Sequence, residues 1–129
     1  MRLDRILLVA GAITLVLGCG DDGGSGVSGT VSAWKSAGLE PTKFEKDDGA
    51  KLDATACHRG KVSGIYATLC EYKDAKAATA AKAKGLKSVG NRTGISLSRN
   101  SWLLVAVDRD KVDPSGRTMN KLATAFWKK

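Results

Sequence analysis

Apolar residues alternate along the chain between two spacings, one helical and one extended. Thr30 to Ala37 carries Val31 and Trp34 on one helical face, with Thr30 or Ser28 as candidate cap. Gly38 stands where a left-handed residue ends a helix, and Pro41 blocks continuation. Phe44 is isolated in a polar stretch that runs to Lys51, which reads as a loop or a poor edge strand. Asp53–His58 and Val62–Tyr72 read as strands, with Arg59-Gly60 as the turn between them. In the second, Ile65, Ala67 and Leu69 alternate with Val62, Tyr66, Thr68, Cys70 and Tyr72.

Helical spacing returns at Asp74–Leu86, an Ala-rich segment with Asp74 as its cap. Ala75, Ala78, Thr79 and Leu86 share one face, while Lys73, Lys76, Lys84 and Lys87 form the opposite stripe. Lys82 falls inside the apolar face and must reach outward to solvent. Thr93–Leu97 and Ser101–Val107 are the next strands, turning at Arg99-Asn100. The run Trp102–Val107 is the most apolar stretch after the N-terminal segment and predicts a central buried strand. Asp113 then caps a last helix with Pro114 at its first position, and Met119, Leu122, Ala123 and Phe126 form its apolar face. Trp34 and Trp102 are expected in the core, and Trp127 lies beside that last apolar face. The order α-β-β-α-β-β-α predicts an α+β fold: a two-layer sandwich, its four-stranded, mainly antiparallel sheet carrying helices on one face.

Ahead of this pattern stands a different one. Arg2 and Arg5 precede an apolar run from Ile6 to Leu17, shorter than the ~20 residues a spanning helix needs. Gly20 to Gly29 is a run of Gly, Ser and Asp with the composition of a flexible tether, reaching about 15–20 Å. Between them, Val16-Leu17-Gly18-Cys19 resembles the lipobox of bacterial lipoproteins. That resemblance implies cleavage after Gly18 and a diacylglycerol on the Cys19 thiol. It divides the chain into a signal peptide (1–18), a lipidated Cys with its tether (19–29) and one α+β domain (30–129). It implies an exported protein held to a membrane by the lipid on Cys19. Gly20, where an Asp would retain the protein in the inner membrane, favours the outer membrane, on its periplasmic or surface face.

Three cysteines are an odd number for an exported chain. With Cys19 lipidated, Cys57 and Cys70 remain as a disulfide pair, and closing that loop contributes roughly 3 kcal/mol. A turn at Arg59-Gly60 would instead set Cys57 opposite Val62 or Ser63, so pairing and turn conflict. A redox pair is disfavoured by the 12 intervening residues, and Cys57, His58 and Cys70 are too few for zinc. The domain resembles only small single-disulfide envelope lipoproteins of unknown function.

The 129 residues hold 43% apolar positions, enough for one folded domain and too few for two. No G-x-S-x-G, H-E-x-x-H or phosphate-binding glycine motif occurs, and the lone His58 has no nucleophile partner. Asp108, Asp110 and Asp113 lack the Gly and closing Glu of a calcium loop. No catalytic residue, metal or cofactor is therefore expected. Without the leader the chain keeps 19 basic against 12 acidic residues, net +7. No aromatic residue interleaves the lysines, so a groove for single-stranded nucleic acid is unsupported, and export excludes intracellular nucleic acid. The leading expectation is a membrane-anchored, non-catalytic binding or structural module that contacts another envelope protein. The alternative is an electrostatic binder of anionic lipid, lipopolysaccharide or polysaccharide through Lys73, Lys76, Lys84 and Lys87.

Overall fold

The computed structural model describes residues 26–128. The predicted signal peptide, the Cys19 lipid site and the tether up to residue 25 lie outside the described residues. The elements are α1 (Val27–Ser36), β1 (Glu45–Asp47), β2 (Ala56–Val62), β3 (Ile65–Glu71), α2 (Ala75–Ala80), α3 (Lys82–Val89), β4 (Gly94–Arg99), β5 (Trp102–Val107) and α4 (Arg117–Lys128), with a short 3-10 turn at Ala50–Leu52. The class is α+β, with one antiparallel sheet in the order β1-β2-β3-β5-β4.

The sheet has five strands rather than four. Glu45–Asp47, in the stretch read as loop or poor edge strand, pairs with β2 through Glu45↔Arg59 and Asp47↔Cys57. Its three polar residues carry no alternation by which a strand could be recognised.

The β2–β3 turn lies at Ser63-Gly64, four residues beyond Arg59-Gly60. Both turn residues have positive φ (50° and 89°), as a two-residue hairpin turn of the primed type requires. Arg59 and Gly60 are strand residues, and the register becomes Val62↔Ile65, Arg59↔Thr68 and Cys57↔Cys70. The conflict between pairing and turn disappears with this shift. Cys57 and Cys70 are directly opposite, with Cα atoms 4.0 Å apart, and are bridged. The Tyr72 N–H donates to the Ser101 carbonyl of the β5 side. Two residues back, the Cys70 backbone also faces β5, which makes Cys57–Cys70 a non-hydrogen-bonded pair with β2, the closer kind.

Helices cover both faces of the sheet rather than one. Period-two alternation sends Ile65, Ala67 and Leu69 of β3 and Leu104 and Ala106 of β5 into a core with Trp34 of α1 and Met119, Leu122 and Phe126 of α4. Cys70, Leu103, Val105 and Val107 point the other way, into a second core with Ala78, Ala81 and Val89 of α2–α3 and with Leu52. The physical reason is β5 itself: Leu103 to Val107 is apolar at every position, and a strand apolar on both faces needs cover on both.

α1 starts at Val27, inside the predicted tether, and no side chain caps it, neither Thr30 nor Ser28. It ends in a Schellman motif: Gly38 (φ 87°) donates to the Lys35 carbonyl and Leu39 to that of Trp34. Asp74 does cap α2, accepting the Ala77 N–H at 2.8 Å. The Ala-rich helix is stepped at Ala81 into α2 and α3, and its buried line is Ala78, Ala81, Gly85 and Val89. Leu86, expected inside, is 58% exposed. The smallest side chains face the sheet because the helix approaches it closely: a Cβ on Gly85 would stand 2.8 Å from Val105 Cγ2. Lys82 is exposed, as its side chain demands.

α4 begins at Arg117, so Pro114 precedes the helix instead of opening it. The left-handed Gly116 (φ 78°) separates them. Asp113 still caps the helix from a distance, accepting the N–H groups of Thr118 and Met119 at 3.1 and 2.8 Å. Met119, Leu122 and Phe126 are buried as expected, with Ala125 rather than Ala123 completing the face.

Candidate functional site

The second face of the sheet is only partly covered. α2–α3 lie over its β5–β4 side, and the disulfide and Leu52 close its lower part. Arg59 of β2 and Tyr66 and Thr68 of β3 remain outside this cover. They form, with Val105 and Val107 of β5, the floor of a cleft of about 410 Å³. Lys84, Lys87 and Ser88 of α3 make one wall, Lys51 and Leu52 of the 3-10 turn the other, and Arg109 closes the end after β5.

Five of these lining residues are cationic and none is acidic. Two cations have partners at the rim: Arg59 Nε contacts Asp47 Oδ2 at 2.8 Å and Lys84 Nζ contacts Asp53 Oδ2 at 2.6 Å. Both pairs are solvent-exposed and contribute at most about 1 kcal/mol each. Lys51, Lys87 and Arg109 form no salt bridge among the described residues. Tyr66 gathers charge further, with Lys61 Nζ 4.6 Å and Arg109 Cζ 5.1 Å from its ring centroid. The wall with Lys51 is pinned from below. The buried Tyr72 hydroxyl donates to the Leu52 carbonyl at 2.7 Å. Its phenol is pushed above the ordinary value, first by burial and second by the Asp53 carboxylate.

The predicted lysine stripe is divided by this arrangement. Lys84 and Lys87 line the cleft, while Lys73 and Lys76 stand exposed at the far end, on either side of the Asp74 cap. Lys51, Arg59, Tyr66, Thr68 and Arg109 are the residues that sequence reasoning did not connect. The Ser63-Gly64 dipeptide was the available signal. A turn there places Arg59 on the same strand face as Cys57 and directly opposite Thr68.

The other described features offer no thiol or metal chemistry. Cys57 and Cys70 are oxidised and buried, at 2% and 0% exposure, so they serve neither as thiolates nor as metal ligands. His58 points to the opposite face, and its buried Nδ1 has no hydrogen-bond partner. No group of three or more His, Cys, Asp or Glu able to hold a metal occurs among the described residues. A larger hollow of about 670 Å³ lies between Gly90–Thr93 and Asp108–Pro114. Its buried Asp108 and Asp113 carboxylates are already filled by backbone donors. Asp108 accepts from Val112 and Asp113, both at 2.9 Å, and Asp113 accepts from the start of α4. They are loop pins rather than ligands.

No protein-family model, curated protein or solved structure matches the chain. Function is therefore argued from the site alone. No helix among the described residues is long and apolar enough to cross a membrane.

Proposed function

We propose that this chain is an exported, lipid-anchored envelope protein whose domain binds an anionic ligand without transforming it. The observation that carries the reading is the cleft itself: five cationic side chains line one concavity, and only Arg59 and Lys84 have carboxylate partners, Asp47 and Asp53 at its rim. A concave site with low-dielectric walls focuses the field of its charges and concentrates counter-ions of opposite sign. Thr68 and Ser88 add hydroxyls, and Val105 and Val107 add apolar floor, for the uncharged parts of a ligand. The lipid on Cys19 would hold this cleft near the membrane.

The test is retention of the full chain on immobilised dextran sulfate across a salt gradient. Lys84→Gln/Lys87→Gln is expected to elute at clearly lower salt than wild type, and Lys73→Gln/Lys76→Gln to elute near it. Equal displacement by the two pairs would reduce the cleft to diffuse net charge and overturn the reading.

Contact with an envelope protein is a second reading, supported by Trp127, which is 52% exposed on α4. Large exposed aromatics are common anchors of protein interfaces. In-cell crosslinking with Trp127→Ala tests it: a partner lost on substitution supports it, and an unchanged pattern removes it.

A further inference from the structure

The cleft does not end at Arg109. A second hollow, of about 460 Å³, shares Arg59, Tyr66, Thr68 and Arg109 with it and continues to Lys43 and Lys61. Glu45 is the one acidic residue on this extension. The two hollows make a single groove that crosses the strands instead of following one. It runs from α3 over β5, β3 and β2 toward the segment preceding β1, where Thr42 bonds the Lys61 carbonyl. Neighbouring strands lie about 4.8 Å apart, so the three steps from β5 to that segment span about 14 Å. One carboxylate or phosphate cannot fill such a length. Its cations are distributed along it: Lys84 and Lys87 at one end, Arg59 and Arg109 in the middle, Lys43 and Lys61 at the other.

Building on the anion-binding reading, we infer that the groove holds a linear acidic polysaccharide, with anionic groups engaged at both ends at once. A flat bilayer surface does not enter a concave groove. A nucleic-acid strand needs aromatic faces for its bases. The groove's single aromatic ring, that of Tyr66, is already occupied by Lys61 and Arg109. Sugar rings need hydroxyl partners and modest apolar contact instead, which Thr68, Val105 and Val107 offer.

The experiment is calorimetric titration of the full chain, at low salt, with uronate oligosaccharides of two and of ten residues. Wild type is compared with Lys84→Gln/Lys87→Gln and with Lys43→Gln/Lys61→Gln, each checked for its fold by circular dichroism. The decasaccharide is expected to bind wild type at least tenfold more tightly than the disaccharide. Either double variant is expected to weaken the decasaccharide by about thirtyfold, as loss of two surface cations at about 1 kcal/mol each implies. Equal affinity for the two lengths, or an unchanged decasaccharide affinity in Lys43→Gln/Lys61→Gln, would overturn the groove and leave anion binding standing. No binding of either oligosaccharide would remove both readings. Tighter binding of a ten-nucleotide single strand, or of phosphatidylglycerol vesicles, would overturn the polysaccharide in favour of that ligand.

Discussion

The two faces of the sheet are built from the same strands and have opposite characters. One face carries Ile65, Leu69, Leu104 and Ala106, all buried under α1 and α4, with Ile95 and Leu97 partly buried at the β4 edge. The other begins with the same alternation but is roofed only in part, and where the roof stops its residues become Arg59, Lys61, Tyr66 and Thr68. The lesson is a division of labour within one sheet. The more fully covered face supplies stability, and the half-open face leaves a cation-lined cleft uncovered. Trp34 shows how completely the first face is settled. It is fully buried, donates Nε1–H to the Leu122 carbonyl at 2.9 Å, and packs against Phe44 with ring centroids 5.8 Å apart.

The comparison predicts a gradient of damage. Trp34→Ala should have the largest effect, a loss of about 4 kcal/mol in urea denaturation, since it opens a cavity in the more fully covered face. A loss under 1 kcal/mol would mean that this face does not carry the stability assigned to it. Removing the bridge with Cys57→Ser/Cys70→Ser should cost about 3 kcal/mol, because the loop it closes is local to one hairpin. A melting temperature unchanged under oxidising conditions would contradict that.

Tyr72→Phe should have the smallest effect, about 1 kcal/mol near neutral pH, from one lost hydrogen bond to Leu52. It also carries a sign. Because the folded-state phenol titrates above its ordinary value of 10.0, its stabilisation is complete below that pH. It is lost as pH rises through the higher folded value, where the unfolded chain has already released the proton. Wild type should therefore lose stability above about pH 10 more steeply than Tyr72→Phe. Parallel alkaline melting curves would show that burial of this phenol does not matter.

Much of the fold was legible in local pattern. Asp74 and Gly38 announced a helix start and a helix end, and each does its work through backbone bonds within a few residues. The amphipathic line Met119, Leu122, Phe126 was readable for the same reason. β1 was legible only as one of two alternatives, loop or poor edge strand, because Glu45, Lys46 and Asp47 hold their place at the edge by pairing with β2 and bury almost nothing. The second helical layer was present in the unbroken apolar run of β5, yet the expected two-layer architecture left half of that strand without cover.

The candidate site was the least legible part. Helical spacing shows Lys84 and Lys87 as half of a stripe on one helix, whereas Arg59, beside Gly60, has the local pattern of a turn residue. A one-turn error in the hairpin moves both the disulfide and the cation, since strand register decides which residue is opposite which.

The sequence by itself determined the α+β class, most of the helix and strand positions, the surplus of positive charge and the availability of Cys57 and Cys70 as a pair. These follow from short-range periodicity and composition, which need no knowledge of distant contacts. Only the tertiary structure decided that helices cover both faces, that the sheet gains a fifth strand, and that Lys51, Arg59, Lys84, Lys87 and Arg109 surround one cleft. Those are outcomes of register and layer packing between residues up to 88 positions apart, and such contacts leave no local trace in the chain.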